Sequence, residues 1–113
     1  MIIKDIVIKN DKDKEFELEV YLNIASIKGI ERELKQIDPK LNFYKALPLI
    51  PQGETISVIF IGNCLHRRGE KRPVGSEWFD ANDVNFFKYS DELIAKLTAC
   101  LEDLNPTVKD EGK

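Results

Sequence analysis

Thr55-Ile56-Ser57-Val58-Ile59-Phe60-Ile61 contains the longest uninterrupted apolar run of the chain, Val58 to Ile61, and its reading decides the fold. Laid out as a strand, it points Ile56, Val58 and Phe60 to one side and Ile59 and Ile61 to the other. β-Branched and aromatic residues favour a pleated surface. Apolar side chains on both faces predict a central strand covered on both sides.

On its N-terminal side, Pro48, Pro51 and Gly53 predict a turn, and residues 41–46 a short strand before it. Further upstream, Ile27, Ile30, Leu34 and Ile37 recur at helical spacing and predict a helix over Asn23–Asp38. Asn23 or Ser26 caps its start. Asp38-Pro39 ends it, because proline disfavours the α region in the residue before it. Gly29 costs this helix about 1 kcal/mol relative to alanine, which a close approach of another backbone would explain.

The first 22 residues predict a hairpin. Residues 2–9 are rich in isoleucine and valine. Residues 15–22 alternate, with Phe16, Leu18, Val20 and Leu22 on one face and Glu15, Glu17 and Glu19 on the other. Asn10 to Lys14 form the polar turn. The acids at 11–19 read as a solvated face, interspersed with Lys12 and Lys14.

On the C-terminal side of the decisive stretch, residues 83–89 hold Val84, Phe86, Phe87 and Tyr89 and predict another strand. Leu93, Leu97, Leu101 and Leu104 then predict a helix from Ser90, its N-cap, to Leu104, with Pro106 just beyond. The expected order is β-β-α-β-β-β-α. Strands and helices are not interleaved one for one, so the expected class is α+β: a mostly antiparallel sheet of four to five strands with two helices packed on it. We expect one domain over residues 1–106 and a polar tail over 107–113.

The chain has 113 residues, of which 42% are hydrophobic and 33% charged, a globular balance. Two cysteines, Cys64 and Cys100, are too few for a disulfide framework and fit reduced thiols. The start lacks the charged and apolar regions of a signal peptide, and no apolar run approaches a membrane span. These readings predict a cytoplasmic protein with no membrane partner.

Residues 62–83 stand out. They separate two strand signals by 22 residues, and long loops in compact domains are often functional. They hold the only histidine, the only tryptophan and Cys64. Residues 66–72 carry Arg67, Arg68, Lys71 and Arg72 against Glu70, a local +3 in a chain of net −3, so the remainder carries −6. Arginine and tryptophan dominate binding hot spots, and guanidinium forks match carboxylates and phosphates. A basic tip anchored by Trp78 and Phe79 is one reading of this stretch. A long hairpin with a solvated end is the plainer one, and the two are compatible.

Cys64 and His66 share a strand face and could pair as nucleophile and base, but no local signature of a cysteine hydrolase accompanies them. A metal site at these two residues lacks ligand spacing. Glu77, Asp80 and Asp83 lack the glycine and ligand pattern of a calcium loop. No phosphate-binding glycine motif is present. We therefore expect no cofactor and no metal.

The expected function is a small protein-binding module, of the inhibitor or immunity type that neutralises a partner protein. Its contacts would be Arg67, Arg68, Lys71, Arg72, Trp78 and Phe79. The alternative is a nucleic-acid-binding module in which the basic loop meets phosphates and Trp78 stacks on a base; a Cys/His enzyme ranks after it. An edge strand over residues 2–9 could also join two copies into a homodimer.

Overall fold

A computed structural model describes residues 2–103. Strand β1 (Lys4–Lys9) and strand β2 (Glu15–Val20) form the expected hairpin, antiparallel and in register from Lys4 opposite Val20 to Lys9 opposite Glu15. Its turn is built on Asn10, whose side-chain Oδ1 accepts from the backbone N–H groups of Lys12 and Lys14, each at 2.9 Å. Asparagine and aspartate stabilise such turns through local side-chain bonds.

Helix α1 (Ile24–Ile37) matches the expected helix. Asn23 is its N-cap and forms a reciprocal capping box with Ser26. Ile30 and Leu34 face the core. A Cβ at Gly29 would meet the Asn63 side chain, with Cγ at 2.9 Å. The close approach is therefore by a side chain rather than a backbone.

From there the structure departs from expectation. Residues 43–46 are a short helix, α2 (Phe43–Ala46), followed by a 3-10 turn over Leu47–Gln52 that carries Pro48 and Pro51. The decisive stretch lies in a helix, α3 (Glu54–Cys64). It packs against α1, the 3-10 turn and the last helix. Ser57 and every residue from Ile59 to Cys64 are buried. Only Glu54 and Thr55 at the start of the helix are exposed, and the half-buried positions are the apolar Ile56 and Val58, so its sequence shows no amphipathic period and cannot be told from a buried strand by pattern. The buried Ser57 hydroxyl donates to the carbonyls of Ile50 and Gly53. A bond to the carbonyl four residues back is one that a helix offers a serine.

Strand β3 (Leu65–Arg67) follows α3 directly and pairs antiparallel with β2, giving a three-stranded sheet in the order β1-β2-β3. Helix α4 (Trp78–Ala81) and helix α5 (Phe86–Asp103) complete the described chain. The strand expected at 83–89 is replaced by Asp83 in the left-handed region, φ 57°, and the first turn of α5. Asn85 rather than Ser90 stands at that end, its Oδ1 accepting from Phe87 N–H at 3.1 Å. Ser90 lies inside the helix. The expected helix end at Leu104 and the expected tail over 107–113 fall outside the described residues.

The fold is thus α+β with an antiparallel sheet, as expected, but with three strands and five α-helices among the described residues instead of four to five strands and two helices. Ile6, Ile8, Leu18, Val20 and Leu65 of the sheet are buried in one cluster with Leu93 and Leu97 of α5 and with Phe60 and Ile61 of α3. Among the described residues, no helix is long and apolar enough to cross a membrane.

Candidate functional site

The segment singled out in the sequence is divided among four structures. Gly62, Asn63 and Cys64 end α3, residues 65–67 are β3, Trp78 opens α4, and the stretch between β3 and α4 is the loop proper. Gly69 and Gly75, with φ of 82° and 87°, sit in the left-handed region that only glycine adopts without strain.

This loop is fastened. Gly75 N–H donates to Gly62 O at 2.8 Å and Val74 N–H to Leu65 O at 2.8 Å. Tyr21 Oη donates to Glu70 O at 2.8 Å, and Asn23 Nδ2 to Lys71 O at 2.9 Å. Gly69 N–H donates to Glu19 Oε1 at 3.3 Å. Ser76 Oγ donates to Glu33, whose other oxygen accepts from Asn63 Nδ2. The loop is therefore held over the N-terminus of α1 by side chains from β2, from its C-terminal extension and from the helix cap itself.

Beneath it lies His66, fully buried and stacked on Tyr21 with ring centroids 3.8 Å apart and planes 10° apart. A carbonyl can only accept, so Nδ1–H donates to Cys64 O at 3.1 Å. Nε2 then faces Ser26 Oγ at 3.5 Å, inside the first turn of α1. Burial holds the imidazole below its ordinary pKa, and its bond to the Cys64 carbonyl and the nearby Glu19 charge only partly oppose this.

Arg67, Arg68, Lys71 and Arg72 are all exposed. Arg68 reaches back over the sheet to Glu17 at 3.6 Å and Asp5 at 3.9 Å. Among the described residues, Arg67, Lys71 and Arg72 form no ion pair. Trp78 and Phe79 are elsewhere. They are only 4% and 3% exposed, and belong to an aromatic chain in which Trp78 packs edge-on to Phe16 at 5.0 Å and Phe79 to Phe86 at 5.1 Å. The sequence reading made them the apolar anchor of the basic loop, available to a partner. As the first turn of a helix lying on the core, they have no surface to offer.

The same burial governs the other candidate chemistry. Cys64 is fully buried, and burial pushes its thiol well above the ordinary range, so a thiolate is scarce near neutral pH. Among the described residues, no three His, Cys, Asp or Glu side chains converge as a metal site. Asp83 instead accompanies the hairpin turn, its carboxylate 3.5 Å from Lys12 Nζ and its carbonyl accepting from Asp11 N–H.

The structure adds a feature absent from the sequence reading. Beside the loop lies an open groove of about 740 Å³, walled by Ile3, Tyr21, Leu22, Ile24, Ile27 and Lys71. Ile3 is 50% and Ile24 73% exposed. The available signal was Ile24 itself: three residues before Ile27 and next to the cap Asn23, it widens the apolar stripe of α1 beyond the buried Ile30 and Leu34. No protein-family model matches the chain, and neither a curated protein nor a solved structure matches it.

Proposed function

We propose that this protein is a protein-binding module whose recognition face joins the basic β3–α4 loop to the apolar groove beside it. The observation that carries this reading is Lys71. It belongs to the loop and also walls the groove, so unpaired positive charge and exposed isoleucines form one continuous surface. The partner that such a surface fits is a protein segment carrying acidic side chains beside an apolar anchor. Charge steers the encounter and fixes orientation, while a desolvated apolar anchor supplies most of the binding energy. The tethers from Tyr21 and Asn23 support the same reading, because a surface already ordered loses less entropy on binding.

The test is a selection from a displayed random peptide library on the immobilised chain. Peptides pairing Asp or Glu with Leu, Ile or Phe are expected to be enriched. Lys71→Glu and Ile24→Asp should each weaken a captured peptide about tenfold or more, roughly 1.4 kcal/mol, with the circular dichroism of the chain unchanged. The reading fails if acidic apolar peptides are not enriched or if neither variant matters. Tight binding of single-stranded oligonucleotides with a steep salt dependence would replace it with the nucleic-acid alternative.

A further inference from the structure

We propose that two copies of this chain pair antiparallel along the outer edges of their β1 strands, forming a closed six-stranded sheet. The argument starts from one side chain. Tyr89 Oη accepts from Lys9 N–H at 2.9 Å and donates to Lys9 O at 3.3 Å. Both backbone groups of Lys9 therefore point away from β2. In an antiparallel ladder, residues alternate between facing the partner strand and facing away. Val7 and Asp5 must then also direct their N–H and C=O groups outward, while Ile8, Ile6 and Lys4 bond to Phe16, Leu18 and Val20. Asn10, next in the alternation, turns inward as required, donating to Lys14 O. Among the described residues, nothing meets the outward groups of Asp5 and Val7. Val7 is also 51% exposed.

These groups are self-complementary, and their surroundings select one register. Placing Val7 opposite Val7 of the second copy would set Asp5 opposite Lys9, whose backbone groups Tyr89 already occupies. Placing Asp5 opposite Asp5 would set two carboxylates directly across from each other, which destabilises a strand pair. Placing Asp5 opposite Val7 separates the carboxylates by one register step and sets Lys9, held by Tyr89, opposite Ile3, outside β1, so that no bond within the paired strands is lost to it. It makes four backbone hydrogen bonds across a two-fold axis at Ile6, and leaves each Asp5 diagonal to both Asp5 and Lys9 of the other copy, an attraction beside a repulsion, instead of directly across from a carboxylate. The far edge of the sheet is covered, since Pro73 bridges to His66 and Val74 N–H donates to Leu65 O. The sheet therefore has one edge to offer, and association stops at two copies. This pairing uses none of the groove residues except the neighbouring Ile3.

Sedimentation equilibrium of the full chain, from micromolar to millimolar concentration, tests it. The expected result is a mass rising from 13.0 kDa toward twice that value. Val7→Lys sets a cation opposite each Asp5 and should tighten the dimer about fivefold, whereas Val7→Asp should weaken it to a similar degree. Val7→Pro removes only an outward donor, which an edge strand tolerates, and should leave a folded monomer by circular dichroism. Lys71→Glu should leave the dimer unchanged, which separates this pairing from the groove. A wild-type chain that stays monomeric at every concentration overturns the proposal. So does a dimer indifferent to all three Val7 variants, and so does equal weakening by lysine and aspartate, which would mean a different register.

Discussion

Gly62→Ala examines the contact on which the loop is seated. A Cβ on Gly62 would lie 2.6 Å from the carbonyl carbon and oxygen of Gly75 and from Ser76 Cα. Non-bonded carbons prefer roughly 3.5–4 Å, so the loop backbone would have to retreat by roughly 1 Å. That displacement breaks the 2.8 Å bond from Gly75 N–H to Gly62 O. Losing one such bond costs about 1 kcal/mol, and overpacking a closed site costs about 1–3 kcal/mol. Against this, alanine gains about 1 kcal/mol over glycine inside a helix. The net expectation is destabilisation by about 1–3 kcal/mol, or roughly 4 °C in Tm for each kcal/mol. Urea and thermal unfolding followed by circular dichroism and by the single tryptophan would read it. Gly69→Ala is the comparison: it meets open space but has a φ of 82°, so only a conformational cost of about 1 kcal/mol is expected. Equal or raised stability of Gly62→Ala would refute the seating of residues 75 and 76 on α3.

Other outcomes follow from buried groups. His66 has a folded-state pKa below its ordinary value, so the unfolded chain binds the proton more readily. Stability should be full above about pH 6.5 and fall as the pH drops below that, until the folded imidazole itself titrates. His66→Asn should flatten this slope in unfolding titrations between about pH 7 and 5, the range in which histidine titrates. Cys64 should resist iodoacetamide in the native chain and react on denaturation; rapid stoichiometric alkylation of the folded protein would contradict its burial. Trp78→Ala should cost about 3–5 kcal/mol, as a buried aromatic does, and Arg72→Ala no more than about 0.5 kcal/mol. Equal effects in chemical denaturation would mean the two are misplaced. Tyr21→Phe removes the bond to Glu70 O, and trypsin should then cut faster after Arg67, Arg68 or Lys71.

What the sequence determined by itself was the amphipathic part of the molecule. β2 alternates because one face is wet, and Asn10 marks its turn. α1 shows its stripe and its Asn23 cap because it too has a wet side, and the leucines of α5 show theirs. The antiparallel α+β class follows from these elements, and so does the exposure of the four basic side chains. Three things were settled only by the tertiary structure. Residues 55–61 form a helix rather than a strand, and α3 is apolar even at its half-buried Ile56 and Val58, which erases the period that would have distinguished it. Trp78 and Phe79 turn inward, because α4 seats them against Phe16 and Phe86, residues far away in sequence. The groove exists only where Ile3, Tyr21, Ile24 and Lys71 meet, brought together by the fastening of a distant loop over a helix cap. Local pattern reports solvent on one side of an element. It is silent where an element is apolar all round, and where a surface is assembled from residues that the fold alone makes neighbours.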